Sequence, residues 1–373
     1  MEKKTLLVIP HFPLVGNVLI RGEALAQGLA KDFKVYLLSW HYTPLEGAPY
    51  PTRLVSRLLG ILRPRRVFPK DRVTVIETPF LFIRNPRLHF LRWINTAIVN
   101  RILRDYHIDV VLNELAVVNS KDLARPHFAD IVDLPTPGEL TRWQHQAAEA
   151  RGVVTITEGL RQELQRYGLQ AEVIGNGANV SKFRAASGEA VRRTYGLGDK
   201  FVIGYIGNHE EWSGLTFLLD VFKGVKLVIP EAALLVVGPG TEVTRAKAKR
   251  DREAIADVVF TGAVDVATVA EYFRAINLAV LPFELDPHSE LSFPIKVIEY
   301  SAAEKIVVAS PVKVLASLSL PNVNIVPREV GLWVAAVLNL RNTKWQPEWN
   351  RQIDAHDWQQ VAQNLSVYIR TRL

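Results

Sequence analysis

Short apolar runs closed by glycine, proline or a charged residue recur along this chain, and between them apolar positions fall three or four apart. In the first half the runs are TLLVIP (5–10), FKVYLLSW (33–40), VTVIET (73–78), DVVLNE (109–114), ADIVDL (129–134) and VVTIT (153–157). Helical patterns at about Leu19 to Lys31, Arg87 to Asp105 and Leu140 to Glu149 lie between them. The second half repeats the rhythm with FVIGYIGN (201–208), ALLVVGPG (233–240), VVFTGAV (258–264) and LAVLPF (278–283), and with helical patterns at 215–225 and 268–276. Strands apolar on both faces need helices on both sides of their sheet, so each half is expected to be a doubly wound, parallel α/β domain. The polar stretch from Ser181 to Lys200 reads as a linker. That gives a Rossmann-like domain at 1–180, a second at 181–350, and a terminal segment at 351–373. Its helix, about Trp358 to Arg372, carries Val361, Leu365 and Tyr368 on one stripe and is expected to dock by that face.

The segment SFPIKVIEYSAAEKIVVAS (292–310) adds chemistry to this frame. Pro294 suits the first turn of a helix, where its missing N–H costs nothing. Lys296 and Glu299 are three apart and share one face, while Ile295, Ile298 and Ala302 are expected to form a buried stripe. Free amides and a lysine at a helix start attract a phosphate. A carboxylate one turn later can accept both hydrogen bonds of a vicinal diol. A nucleoside diphosphate presents that pair of groups.

Pro-x-Lys-x-x-Glu-Tyr followed by a small-residue turn and Val-Val-Ala-Ser resembles the nucleotide-sugar motif of GT-B glycosyltransferases of the glycosyltransferase-4-like group. Gly-Asn at 207–208, VVGPG at 236–240, FTG at 260–262 and LPF at 281–283 follow that family's order. VIGNGANVSKF (173–183) is similar to the segment that closes its N-terminal domain, with Gly175 in place of proline. The resemblance implies two Rossmann-like domains facing a central cleft, the first for the acceptor and the second for the donor. It also implies a C-terminal helix crossing back to the N-terminal domain. By the same likeness Glu299 holds the ribose and Lys296 faces the diphosphate. No metal and no cofactor are expected, the nucleotide sugar being the substrate itself.

Two departures bear on the site. The family's Gly-Arg-x4-Lys-Gly loop is here Gly207 to Gly214 and carries neither cation. His209 is the candidate replacement for the arginine, and Trp212 a candidate to stack on the site or cap it. Leu291 stands where many members have the first glutamate of Glu-x7-Glu, with Glu290 one position off as a weak sugar contact. Gly207, Asn208, Phe293 and Pro294 complete the expected donor pocket. On the acceptor side, Gly16 permits close approach of backbone to the donor sugar. His11, Glu114 and Asp133 follow apolar strands and are candidate acid–base groups, Asp133 first among them. They fit a retaining or an inverting reaction.

The chain has 373 residues, a net charge of +7 and no cysteine, so disulfides and thiolate chemistry are excluded. Charge is uneven: between Arg53 and Arg104 there are twelve arginines and lysines against Asp71 and Glu77, interleaved with leucines and aromatics. Such a mixture suits an anionic membrane face, and nucleic acid is not expected as partner. The expectation is a cytoplasmic enzyme, peripheral at the inner membrane face. It would be a hexosyltransferase-like glycosyltransferase moving sugar from a UDP- or GDP-sugar to a lipid-linked or polysaccharide hydroxyl. The alternatives are a sugar-nucleotide epimerase of similar fold and a catalytically inactive nucleotide-sugar or membrane-binding partner protein.

Overall fold

A computed structural model describes residues 3–11, 14, 20–40, 64–79, 92–114, 118, 122–133, 143–145, 147–285 and 293–373. Two compact units are present, Met1–Gly175 with Trp358–Leu373, and Asn176–Asp357.

The first unit holds β1 (Thr5–Ile9), β2 (Lys34–Trp40), β3 (Arg66–Lys70), β4 (Val73–Thr78), β5 (Val110–Asn113), β6 (His127–Ile131), β7 (Gly152–Thr155) and β8 (Glu172–Val173). They form one sheet in the order β3-β4-β2-β1-β5-β6-β7-β8. All neighbours are parallel except the β3–β4 hairpin. Six of these strands, β1, β2 and β4 to β7, coincide with the apolar runs of the first half, whereas β3 is hidden in the basic stretch RPRRVFPK. Its residues are largely exposed and it contains Pro69, as an edge strand tolerates. Strand β6 ends at Ile131, so Asp133 lies two residues beyond it.

The terminal helix Trp358–Arg370 packs within this unit against helix Arg21–Leu29. Gly28 permits the approach, since a β-carbon there would stand 2.3 Å from that of Ala362. Val361, Leu365 and Ile369 enter the core with Leu6, Val8 and Leu25. Tyr368 sits at the margin instead, edge-on to Phe128 and donating to the Val153 carbonyl at 3.1 Å.

The second unit has a parallel sheet in the order β11-β10-β9-β12-β13-β14. These strands are β9 (Val202–Ile206), β10 (Ala233–Val237), β11 (Val258–Phe260), β12 (Leu278–Leu281), β13 (Ile306–Ala309) and β14 (Val323–Ile325). Both sheets reverse their strand order once, between β1 and β5 and between β9 and β12. Ligands bind at such reversals, beyond the carboxyl ends of the strands.

Residues 181–200 are not a linker. They fold as helices Val180–Ala185 and Glu189–Thr194, which pack on helices Ile295–Ala302 and Val269–Ala275. Val180, Phe183 and Val191 supply the apolar contacts that polar neighbours mask in sequence. Helix Thr241–Arg252 and the elements between Ser310 and Trp358, including helix Val330–Leu340 with its buried Trp333, are likewise absent from the sequence reading.

Candidate active site

At the reversal of the second sheet, the loops after β9, β10 and β12 interlock through glycines. Gly238 has φ 120°, and a β-carbon there would fall 1.8 Å from the Gly207 carbonyl oxygen. Gly214, φ 67°, stands equally close to the Pro282 carbonyl. Only glycine takes these conformations in that space without strain.

Helix Ile295–Ala302 starts beside them, with Pro294 as its cap residue rather than inside its first turn. Tyr300 is fully buried, and its hydroxyl accepts the Ile206 N–H at 2.7 Å. The tyrosine of the Pro-x-Lys-x-x-Glu-Tyr motif thus fixes the helix to the end of β9. Val297, Ile298, Ser301 and Ala302 are buried, whereas Ile295, expected in that stripe, lines a cavity. Proline at the cap turns residue 295 toward the loops.

That cavity, about 240 Å³, is bounded by Trp212 and Phe283 on one side, by Phe293 to Lys296 on another, and by Tyr205 to Asn208 below. Trp212 stands edge-on to Phe283 at 5.4 Å. Lys296 passes Gly207, and its Nζ donates to Glu299 Oε2 at 2.7 Å. The Lys296 side chain is one-third exposed and Glu299 less so.

His209 is not the replacement cation. Its imidazole is fully buried, with Nε2 3.0 Å from the Val237 carbonyl and the ring edge-on to Tyr205. Burial pulls its pKa down to about 4, so the ring is neutral near pH 7. Its backbone instead ties the loops, donating to Pro239 and accepting from Glu242.

At the reversal of the first sheet, Glu114 follows β5 directly and is 5% exposed. One carboxyl oxygen accepts the His11 N–H, while Oε1 has no hydrogen-bond partner. Gly22 packs against that bare oxygen. Burial and then the nearby Asp130 push the Glu114 pKa to about 8. Arg21 relieves it only in part, its guanidinium being held by Asp130 at 2.9 Å and by the Ile174 and Gly175 carbonyls. Asp133 is exposed and adds to the field at Glu114. The structure therefore gathers His11, Glu114 and Asp133 at one strand-end cluster, with Glu114 at its buried centre. Gly16, Glu290 and Leu291 lie outside the described residues.

Residues 200–342 match the family model described as glycosyl transferases group 1. The second unit is a group 1 glycosyltransferase domain. A Bacillus subtilis (strain 168) protein bearing the provisional name teichuronic acid biosynthesis glycosyltransferase TuaH is 27% identical over 158 residues. That match spans 41% of this chain and 38% of the relative. Over its full length the chain has the GT-B fold. Sucrose-phosphate synthase from Thermosynechococcus elongatus superposes with a TM-score of 0.73, at 16% identity and 99% coverage of both chains. Anabaena HepE, solved with UDP and glucose, gives 0.70 at 15% identity, covering 98% of this chain and 99% of HepE.

In the second unit, sequence reasoning put Lys296, Glu299 and the glycine loops in one place, as the fold does, but missed how apolar the adjoining pocket is. Ile295 was expected in the buried stripe, and the loop packing sets both it and Phe283 at the cavity. In the first unit it missed the Arg21–Asp130 pair. Asp130, set between Ala129 and Ile131 in the run ADIVDL, was the available signal, since a buried charge needs a partner.

Proposed function

We propose that the chain moves a sugar from a UDP- or GDP-sugar to a hydroxyl of a lipid-linked or polysaccharide acceptor, without a metal ion. The observation that carries this is the Lys296–Glu299 pair at the helix start where the second sheet reverses. On binding, Glu299 accepts the ribose hydroxyls, and Lys296 turns to the diphosphate with the first amides of its helix. Charge grows on that diphosphate as the sugar leaves, and a fixed cation there lowers the barrier. HepE, of the same fold, holds UDP and glucose in its crystal structure, which supports the donor class. On the acceptor side Glu114 takes the hydroxyl proton, a role for which Asp133 is too solvated.

The test is calorimetry with UDP and GDP. One of them binds the native protein, and Glu299→Ala weakens it roughly 10- to 100-fold, as loss of hydrogen bonds to a charged group predicts. Pyrophosphate, which has no ribose, binds that variant no more weakly, because Lys296 is released from its ion pair. Binding of neither nucleotide, or an equal loss for pyrophosphate, refutes the reading.

The membrane face is a further part of this proposal. Among the described residues no helix is long and apolar enough to cross a membrane. Trp93 is 59% exposed, as are Val67 and Phe68 in part. Arg65, Arg66, Lys70 and Arg101 have carboxylate partners, so the excess cations of this region fall mostly in its undescribed segments. Vesicles rich in anionic lipid should pellet the protein at low salt and release it at high salt. Equal recovery with neutral vesicles refutes the contact.

A further inference from the structure

Helix Val330–Leu340, VGLWVAAVLNL, is apolar on every side yet lies at the surface. It carries no charge over eleven residues, whereas helix Thr241–Arg252 of the same unit carries seven over twelve. One stripe is accounted for. Trp333 and Val337 are buried, Trp333 stands edge-on to Phe217 at 5.4 Å, and Val334 covers Gly224. These contacts seat the helix on its neighbour Leu215–Val228. The opposite stripe is Gly331, Leu332, Ala335, Leu338 and Asn339. Leu332 is 44% exposed, Gly331, Ala335 and Asn339 are exposed, and Leu338 is half-buried. An outer helix of a globular domain carries charged and polar side chains on that face.

The charges that the helix lacks stand at its two ends. Glu329 precedes it and Arg341 follows it, both exposed, and neither side chain has a hydrogen bond or ion pair among the described residues. Arg328, beside Glu329, is already held by Glu284 and lies over the Phe217 ring. Glu329 and Arg341 are equally distant in sequence from Ala335, one on either side. A two-fold axis at Ala335 therefore lays a second helix antiparallel on the first with matching charges. Glu329 of one copy comes to the level of the partner's Arg341 at both ends, and Leu332 to the level of the partner's Leu338. The opposed helix dipoles agree with that direction. Gly331 and Ala335 leave room for close approach, and a β-carbon at Gly331 would meet nothing within 4 Å.

We infer that this stripe is the surface by which two copies of the chain pair, helix against helix about a two-fold axis. The same patch then serves on both subunits, and its charge pattern complements itself. A helix lying on anionic lipid is basic along its polar edge, whereas this one is acidic at one end. One helix pair buries less than the roughly 1,200–2,000 Å² of a standard interface, so the dimer is a weak one with a dissociation constant of about micromolar order. The inference is independent of the donor and acceptor assignments.

Analytical ultracentrifugation of the full chain, up to about 100 μM and so well above the expected constant, tests the inference. The native protein is expected to pass from monomer to dimer across the series. Ala335→Glu, which sets two carboxylates at the axis, weakens the dimer roughly 100-fold or more. Glu329→Arg and Arg341→Glu each weaken it about 2- to 10-fold, and the double exchange restores the native constant. All four positions are at the surface or the helix ends, and unchanged melting temperatures show that the variants fold. A dimer that survives Ala335→Glu, or an exchange that restores nothing, overturns the inference. A protein that stays monomeric throughout also overturns it, and pelleting by phosphatidylcholine vesicles that Leu332→Lys abolishes would then assign the stripe to lipid.

Discussion

Replacing Lys296 by alanine lowers the turnover number roughly 10²- to 10³-fold while changing donor KM much less. The size is that of removing one preorganised donor from developing charge. The split follows from the empty site, where Lys296 is already bonded to Glu299 at 2.7 Å. Binding the donor exchanges one anionic partner for another, so ground-state affinity gains little. As the glycosidic bond breaks, the diphosphate takes on more charge than the carboxylate had, and the lysine is worth most there. Lys296→Arg keeps the cation and recovers part of the rate. Initial rates with saturating donor decide the matter. A KM effect larger than the turnover effect would make Lys296 a binding residue only.

Glu114→Gln lowers kcat/KM roughly 10²- to 10⁴-fold, the usual worth of a positioned acid–base group, and stabilises the protein above pH 8. The two effects have one cause. Burial, then Asp130, holds the Glu114 pKa near 8, against an ordinary carboxyl at 4.5 in the unfolded chain. Between those values the folded state binds a proton that the unfolded state has released. Stability from this group is therefore complete below about pH 4.5 and is lost as pH rises through 8, by an amount on the order of a few kcal/mol. Glutamine mimics the protonated acid at every pH and escapes that loss. Melting temperatures of the two proteins should coincide near pH 4.5 and diverge in favour of Glu114→Gln at pH 8 to 9. The native rate should rise with pH toward 8 as the base is uncovered. Parallel melting curves across the range, with activity retained, would sink the assignment.

The neighbours of Glu114 act on this titration from both sides, Asp130 and Asp133 raising its pKa and the His11 N–H and Arg21 lowering it. Arg21 is saturated by Asp130 and two carbonyls, and the His11 N–H reaches one carboxyl oxygen, so the other stays bare. None of this was readable from spacing. His11, Arg21, Glu114 and Asp130 are scattered over more than a hundred positions, and their meeting depends on β1 and β5 being neighbours. Asp133 ranked first from sequence because it follows an apolar run and matches a family element. The strand ends two residues short of it, and its side chain is left in water.

Sequence alone determined the parts of this protein that depend on local pattern. Apolar runs marked β1, β2, β4 to β7 and β9 to β12, whereas β14 was not marked and β3 was invisible because its side chains face solvent. The spacing of Pro294, Lys296 and Glu299 placed a cation and a carboxylate on one helix face, since helical periodicity acts over a single turn. Tertiary structure decided what lies opposite them. It buried His209 as a neutral ring, turned Trp212, Phe283 and Ile295 into a cavity wall, and drew Glu114 into a site where water cannot solvate its charge. Those outcomes depend on which loops meet across a sheet, and burial, which sets both pKa and pocket polarity, is a property of the assembled fold.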